Sequence, residues 1–527
     1  MNLDFNEKFA PTIKMYLVFL IYSFILLLFC TTSSPFYFIN TWNDSNIFFT
    51  MGKSLMNGLV PYRDLFEQKG PLLFFINGIG YLISNNSYTG IYILQSFSLS
   101  ITMFFAYKIS ILYTSRSWSI MTAISLPVFI YYSTSYSGGG NSAEEYCLPF
   151  MMISLYYFLS YFKNQLNIKH NPKIMLLHGV TSSCVFLIKF NITAFWVGFA
   201  IVILIKLLIN KQFKNIVHNI ICGIIGIMIP IIPFAIYFIV KQSLQDAISM
   251  YFLLNFQYAE DFSSHRGFIK TFLFTIGKII VVHPFLFASI VSSIIIVVKN
   301  TKNLSVFGRV AVTLSSIIMY LSIYGSGHSS KYYIIPFSIF AIFGIIYIIS
   351  LFEDLTLKRK TLYKLILIIF VMNIFSNYIF VNHAHLIRSK NNKLAQYVFA
   401  DIINSQRNPS LLELTEPAAT CGDGFLTAAN LLPATKYFST PNIPFDKFPF
   451  PYTAQLDLIQ NKKVKFLVSM ERLKKTKEEF AIPPMGNLPI HFKIQEAINT
   501  NYIPIKSMIQ KNGAGEHIYT LYMVKDQ

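Results

Sequence analysis

Residues 216–240 read IVHNIICGIIGIMIPIIPFAIYFIV, a stretch that contains no Asp, Glu, Lys or Arg. A helix needs about 20 apolar residues to cross the hydrocarbon core of a bilayer, so this stretch predicts a transmembrane helix. Further segments of the same kind bring the predicted total to about 11 transmembrane helices. They lie near residues 15–34, 88–107, 118–136, 145–162, 174–188, 191–210, 216–240, 275–298, 306–324, 332–351 and 362–380.

The composition of the whole chain agrees with this pattern. Of the 527 residues, 54% are hydrophobic and 13% are charged, and the mean hydropathy is +0.50. Soluble domains carry about 25% charged residues, so the composition excludes a soluble enzyme, a disordered chain and a secreted disulfide scaffold. The five cysteines form no CxxC pair and predict small buried side chains. The sequence therefore predicts a mainly α, polytopic membrane protein.

The formal net charge is +19, and its distribution predicts the topology. With a cytoplasmic N-terminus, the inner segments hold 17 basic residues against four acids, and the outer segments hold nine against eight. Basic residues accumulate on the cytoplasmic side of membrane proteins. We therefore expect a multi-pass plasma-membrane protein with a cytoplasmic N-terminus and an extracytoplasmic C-terminus. Because topology accounts for the charge, nucleic acid is not an expected partner.

Two regions lie outside the predicted spans. Residues 71–83 are apolar but too short to cross, and they predict an interfacial or re-entrant helix in the first extracytoplasmic loop, 35–87. Residues 383–527 regain charge and proline, and runs within them are typical of short strands. The predicted domains are a transmembrane domain, 1–382, and a small extracytoplasmic α/β C-terminal domain, 383–527.

The first outer loop is the most informative region for function. Residues 43–46 read NDSN, residues 56–58 read MNG, and residues 60–71 read VPYRDLFEQKGP. This order of an acid after the first span, a glycine stop, a Pro-Tyr turn and an acid–lysine pair before proline resembles the GT-C glycosyltransferase superfamily. The nearest branch contains the protein O-mannosyltransferases and the lipid A aminoarabinose transferases. The resemblance covers residues 15–380, with two departures: serine follows Asp44 where many members have glutamate, and Gln68 and Gly70 flank the lysine.

The resemblance implies a cell-envelope enzyme with a GT-C-like catalytic domain. It would transfer a hexosyl or pentosyl group from a polyprenyl-phosphate donor to an extracytoplasmic acceptor. The attacking acceptor hydroxyl loses a proton, which suits a carboxylate as general base, and Asp44 is the candidate for a direct, inverting displacement. The departing phosphate gathers charge that a cation stabilises, and Lys69 is the candidate. The structural alternatives are a helix cap for Asp44 and a headgroup anchor for Lys69.

Other polar residues of the outer loops complete the predicted site. The second acid of the family pattern is matched by Glu144 or Glu145, and the sequence does not choose between them. This acid is expected to act in catalysis, to orient the acceptor or to bind a divalent cation. The remaining candidates are the donor-phosphate helpers Arg63, Arg266 and Lys331, and the substrate-binding residues His328, Glu67 and Tyr62.

The sequence contains no metal-binding motif: its ten histidines are dispersed, without HExxH or HxxxH. No metal site or resident cofactor is therefore predicted beyond that divalent cation. The predicted partners of the glycosyltransferase are a lipid-linked sugar and a glycan, lipid or protein acceptor. Two alternative functions stay open, a lipid-linked sugar flippase or transporter and a polysaccharide polymerase or ligase. Transporters place polar groups near the membrane midplane, and polymerases are expected to concentrate arginines in outer loops, where only Arg63 and Arg266 occur.

Overall fold

The structure is a computed structural model and combines a large helical part with a smaller sheet-containing part near the C-terminus. It describes residues 5–131, 139–163, 168–257, 268–299, 304–327, 330–352, 359–377, 394–415, 424–439, 447–472, 489–512 and 515–525, with residues 380, 386, 387, 422, 443 and 445.

Helices fill most of the described chain up to residue 377. They are α1 (Phe5–Cys30), α2 (Asn43–Met56), α3 (Pro71–Ile83), α4 (Thr89–Ile111), α5 (Arg116–Ile130), α6 (Ala143–Lys163), α7 (Pro172–Phe186), α8 (Ala194–Ile209), α9 (Phe213–Val240), α10 (Leu244–Ile248), α11 (Phe268–Val282), α12 (Pro284–Lys299), α13 (Val306–Tyr324), α14 (Ala341–Ser350) and α15 (Arg359–Phe375). The 3-10 segments Phe190–Thr193 and Lys331–Phe340 lead into α8 and α14, and the π-helical turn Ser249–Leu253 follows α10.

A helix lies in each of the eleven predicted spans. Within the described part of the chain, six helical segments have the length and apolar composition to cross a bilayer, and one bent pair would make seven. The six are Thr12–Cys30, Thr89–Ile111, Phe190–Ile209, Phe213–Val240, Val306–Tyr324 and Lys331–Ser350. The count of eleven therefore stays a prediction.

The predicted span at 275–298 consists of two helices. Helices α11 and α12 meet at an angle of 115° around His283. Pro284 has no N–H to donate, and its ring clashes with the preceding turn, so it begins a new helix and does not continue the first.

The short apolar helix that was expected at 71–83 is α3, and it packs directly on α2. A Cβ atom at Gly52 of α2 would lie 2.4 Å from the backbone nitrogen of Gly78 in α3. Glycine at this crossing therefore allows the two backbones to touch. The contact fixes α2 and α3, which hold the two ends of the loop that contains the candidate residues.

The C-terminal part contains a mixed four-stranded sheet. Its strands are β1 (Leu411–Thr415), β2 (Phe466–Arg472), β3 (Tyr502–Asn512) and β4 (Gly515–Val524), in the order β1-β2-β4-β3. Strand β1 pairs with β2 in parallel, and β4 is antiparallel to β2 and β3. The accompanying helices are α16 (Ala395–Asn404), α17 (Phe425–Ala428), α18 (Phe450–Gln460) and α19 (Pro489–Asn501). The domain boundary at 382/383 and its extracytoplasmic side stay predictions.

Candidate active site

Asp44 lies in the first turn of α2, where the helix dipole favours a negative charge. The N-cap residue of this helix is Trp42, so Asp44 is not the cap that was considered as its structural alternative. The phenol of Tyr332 donates a hydrogen bond of 3.1 Å to Asp44 Oδ2. The Trp42 ring packs edge-on against Tyr332, with 5.1 Å between centroids. The carboxylate of Asp44 is therefore held between α2 and the segment that begins at residue 331.

Lys69 lies in the connection between α2 and α3, just before α3 begins at Pro71. Its Nζ lies 3.9 Å from Glu67 Oε1, and the two side chains are 22% and 12% exposed. The fully buried Tyr62 donates a hydrogen bond of 2.7 Å from its phenol to the Lys69 carbonyl oxygen. Tyr62 thus holds the backbone that carries Lys69. The Tyr62 side chain, which was predicted to bind substrate, has no accessible surface in this structure.

Gly70 holds this loop against the turn between α7 and α8. Its N–H donates to the Ile188 carbonyl at 3.0 Å, and the Leu72 N–H donates to the Leu187 carbonyl at 3.0 Å. A Cβ atom at Gly70 would lie 2.1 Å from the Leu187 carbonyl oxygen. This backbone-to-backbone contact therefore requires glycine at position 70. Gly70 is one of the two residues beside the lysine that depart from the family pattern. The same turn carries Lys189.

Lys189 and Glu144 form a buried ion pair beside this loop. Lys189 Nζ donates to Glu144 Oε1 at 2.5 Å, and the side chains are 10% and 1% exposed. The ammonium also lies 3.8 Å from the centroid of the Tyr333 ring, a cation–π contact. The second carboxylate oxygen, Glu144 Oε2, is buried and has no hydrogen-bond partner among the described residues. Buried polar atoms of this kind are rare.

Five charged side chains form what we call the carboxylate–lysine cluster: Asp44, Glu67, Lys69, Glu144 and Lys189. Burial raises the pKa of Asp44, and nearby Lys69, the hydrogen bond from Tyr332 and Lys189 oppose that rise. Burial also raises the pKa of Glu67, against the effect of Lys69. Burial by itself would lower the pKa of Lys69, but the neighbouring carboxylates of Glu67 and Asp44 raise it to about 12. Lys69 therefore remains a cation at neutral pH.

Glu145, the other candidate for the second acid, has different partners. The Ser142 N–H donates to Glu145 Oε2 at 3.2 Å, and the Glu145 N–H donates to Ser142 Oγ at 3.1 Å. This reciprocal pair is a capping box at the start of α6. Gln95 Nε2 also donates to both oxygens of the Glu145 carboxylate at 3.2 Å. Glu144 thus points to the carboxylate–lysine cluster, whereas Glu145 binds the start of its own helix and α4.

The structure does not bring Arg63 or Lys331 into the cluster. Arg63 is exposed, forms an ion pair of 2.8 Å with Asp64, and donates to the Lys241 carbonyl at 2.9 Å. Lys331 is exposed at the start of its 3-10 segment. Arg266 and His328, which were also predicted to bind substrate, lie outside the described residues.

Sequence reasoning missed three contributors to the site: Lys189, Tyr332 and Tyr333. Lys189 falls between the predicted spans 174–188 and 191–210, and it is the single charged residue between residues 174 and 205. An isolated charge in so long an apolar run favours a buried partner. The two tyrosines stand at the start of the predicted span 332–351, but nothing in their local sequence distinguishes them from packing residues.

In the described ranges, no group of three or more His, Cys, Asp or Glu side chains is placed to hold a metal ion. The divalent cation that was considered for the second acid stays a prediction.

Comparison with known proteins adds a family and a fold. The sequence matches the competence-induced protein Ccs4 N-terminal domain over residues 6–324. No curated protein matches the sequence.

Solved structures of similar fold include ArnT from Cupriavidus metallidurans. Bound to undecaprenyl phosphate, ArnT is 10% identical with a TM-score of 0.55, over 97% of this chain and 98% of that chain. Its apo state is 9% identical with a TM-score of 0.54, over 98% of both chains. The Archaeoglobus fulgidus oligosaccharyltransferase in complex with Zn and sulfate is 12% identical with a TM-score of 0.49, over 95% of this chain and 72% of that chain. The chain thus shares its fold with ArnT, and its long apolar helices make it a multi-pass membrane protein.

Proposed function

The chain belongs to the family of the competence-induced protein Ccs4 N-terminal domain, and we propose that it is an inverting glycosyltransferase. It moves a sugar from a polyprenyl-phosphate donor to an acceptor hydroxyl at the extracytoplasmic face of the membrane. Residues 1–382 form the catalytic domain, and residues 383–527 form an extracytoplasmic domain. The observation that carries this proposal is the carboxylate–lysine cluster.

The cluster is assembled from segments that are distant in sequence. Asp44 comes from the first turn of α2, Lys69 from the residues just before α3, Glu144 from the start of α6, and Lys189 from the turn between α7 and α8. All of these segments are predicted on the extracytoplasmic side. An enzyme whose donor keeps its prenyl chain in the bilayer needs its reacting groups at this membrane boundary. The convergence of acids and ammonium groups therefore supports interfacial chemistry.

Asp44 is the proposed general base. As the acceptor oxygen forms a bond with the anomeric carbon, its proton passes to the Asp44 carboxylate. The bond from the anomeric carbon to the phosphate oxygen breaks at the same time, and attack from the opposite face inverts the anomeric centre. The hydrogen bond from Tyr332 orients the carboxylate for this step.

Lys69 is the proposed partner of the departing phosphate. Lys189 is already neutralised by Glu144 at 2.5 Å, whereas Lys69 lies 3.9 Å from Glu67 and is 22% exposed. Lys69 is thus the more available cation for the charge that develops on polyprenyl phosphate. A preorganised cation in a site with little water stabilises such charge strongly.

Glu144 is the proposed second acid. Its oxygen Oε2 has no partner within the described part of the chain and can accept a hydrogen bond from a hydroxyl group of the acceptor or of the donor sugar, while Lys189 holds the other oxygen. The undecaprenyl phosphate in the similar ArnT structure supports a polyprenyl carrier for this chain.

The test is transfer from a radiolabelled polyprenyl-phosphate sugar in purified membranes. We expect Asp44→Asn and Lys69→Met to lose transfer. The exposed residues Asp457 and Lys241 provide matched controls, so Asp457→Asn and Lys241→Met should retain it. Equal transfer by all four variants would contradict the site. Movement of the labelled lipid across the membrane by the wild type, with no glycosylated product, would support the transporter alternative instead.

A further inference from the structure

The C-terminal part of the chain packs on the helix that carries Asp44. The Asn46 side chain donates to the carbonyl oxygen of Gly422, and the phenol of Tyr88 donates to Asn46 Oδ1. Gly422 has φ +142°, and a Cβ atom on it would lie 2.7 Å from the carbonyl oxygen of Asn43. The backbone at residue 422 therefore touches the residue that immediately precedes Asp44.

Lys53 forms a second contact about two turns further along α2. Its side chain is 2% exposed, and its Nζ donates to the carbonyl oxygens of Leu431 at 2.9 Å and Leu426 at 3.4 Å. No described carboxylate lies within ion-pair distance of it, so backbone carbonyls around α17 are its partners. A buried ammonium is costly unless such groups satisfy it. Lys53 therefore links α2 to the segment 426–431, and it forms no ion pair within the described chain.

The same segment is fixed to the C-terminal sheet by Glu413 of β1. Glu413 Oε1 accepts a hydrogen bond of 2.6 Å from the Leu426 N–H, and Oε2 accepts one of 3.3 Å from the Gly422 N–H. Hydrogen bonds thus connect the sheet, through residues 422, 426 and 431, to Asn46 and Lys53 on α2.

The C-terminal part also contacts Phe66, in the connection between α2 and α3. The Phe66 N–H donates to the Lys436 carbonyl oxygen at 2.9 Å, and the Phe66 ring lies 5.1 Å from the ring of Phe448. Phe66 directly precedes Glu67 of the carboxylate–lysine cluster. The C-terminal part therefore contacts both α2, which supplies the base, and the residues before α3, which supply the phosphate ligand.

From these contacts we propose that Asn46 and Lys53 are positioning residues, which make the placement of Asp44 depend on docking of the C-terminal sheet onto α2. This inference rests on the proposed transferase function. The C-terminal part is then a structural component of the active site and not a separate binding module. Misplacement of a reacting group by about 1 Å can cost 10²-fold in rate, so loss of the docking contact lowers turnover without removing a reacting group.

The test uses the full chain with Lys53→Met, Lys53→Arg and Asn46→Ala, and with Lys506→Met as an exposed lysine control on β3. Hydrogen exchange of residues 422–431 measures docking, and transfer kinetics measure turnover. We expect Lys53→Met and Asn46→Ala to speed exchange in 422–431 and to lower kcat by roughly 10- to 100-fold. The KM for donor should stay within about two-fold, because Lys69 is intact. Lys53→Arg should restore most of the turnover, and Lys506→Met should match the wild type.

Faster exchange with an unchanged kcat would overturn the proposal, because docking would then be irrelevant to the base. Unchanged exchange in both Lys53→Met and Asn46→Ala would also overturn it. If the wild-type chain transfers no sugar, the proposed function fails, while the exchange measurement still decides whether these residues dock the sheet.

Discussion

The buried ion pair between Glu144 and Lys189 should contribute far more to stability than an exposed pair of the same chemistry. Lys189→Met leaves the Glu144 carboxylate, which is 1% exposed, without its cation. Removing one partner of a buried pair costs about 3–5 kcal/mol, because the remaining charge is uncompensated. Exposed pairs contribute about 0.2–1 kcal/mol. The burial of the pair therefore decides which range applies.

The chain contains its own control. Lys463 and Asp457 form an ion pair of 2.7 Å whose side chains are 52% and 51% exposed. We expect Lys463→Met to change the melting temperature of the purified protein only slightly. The decrease for Lys189→Met, measured in the same detergent, should be at least three times larger, as the two ranges above imply.

The double variant Glu144→Gln/Lys189→Met separates charge from packing. Because it removes both charges, it should recover a large part of the stability that Lys189→Met loses, yet it should not recover transfer. Equal melting shifts for the buried and exposed pairs would refute the reasoning. So would a double variant whose loss equals the sum of the two single losses, since the pair would then have no coupling energy.

Three further predictions concern Asp44, Gly70 and Lys53. Burial raises the pKa of Asp44, and only its ionised carboxylate can take a proton from the acceptor. On acidification, kcat/KM should therefore begin to fall at a pH above the ordinary aspartate pKa. A pH–rate profile whose acid limb lies at the ordinary aspartate pKa would contradict this. Gly70→Ala forces the backbone at Leu187 to move and should lower the free energy of unfolding by about 1–3 kcal/mol. Gly277→Ala has nothing within 4 Å of its Cβ atom and should not lower the melting temperature. Equal melting shifts for the two variants would show that the close contact at Gly70 is not rigid. Burial lowers the pKa of Lys53 to about 8, so above that pH the unfolded chain binds more protons than the folded chain does. The stability of the wild type relative to Lys53→Met should therefore rise between about pH 8 and 10. Melting temperatures of both proteins at pH 7.5 and 9.5 measure this, and a constant difference between them would contradict it.

Local composition predicted the helical part of the fold. The apolar runs are long, and each contains a helix, because hydropathy depends only on residues that are neighbours in sequence. The helix expected at 71–83 begins at Pro71 and ends at Ile83, since proline is favoured in the first turn and the apolar run then stops. The break at Pro284 was missed because the apolar run continues through it. The sheet order β1-β2-β4-β3 depends on pairing between distant strands, which local patterns do not contain.

The candidate site was predictable to the extent that it lies in one loop. Asp44 and Lys69 were proposed together and do influence one another in the structure. Adjacent Glu144 and Glu145 were not distinguished, because their directions depend on the helix phase, yet Ser142 three residues before Glu145 is the capping-box signature that would have assigned Glu145 to the helix start. Lys189 reaches the site only through tertiary packing.

The order of the ion-pair residues along the chain has a consequence for biosynthesis. Glu144 leaves the ribosome 45 residues before Lys189. At about 5–20 residues per second, the acid waits roughly 2–9 s for its counter-charge. During that interval it must stay hydrated or protonated, so α6 cannot settle into its final place ahead of α7. Tyr332 emerges later still, so the Asp44 carboxylate gains the hydrogen bond from Tyr332 only after most of the helical bundle has been made.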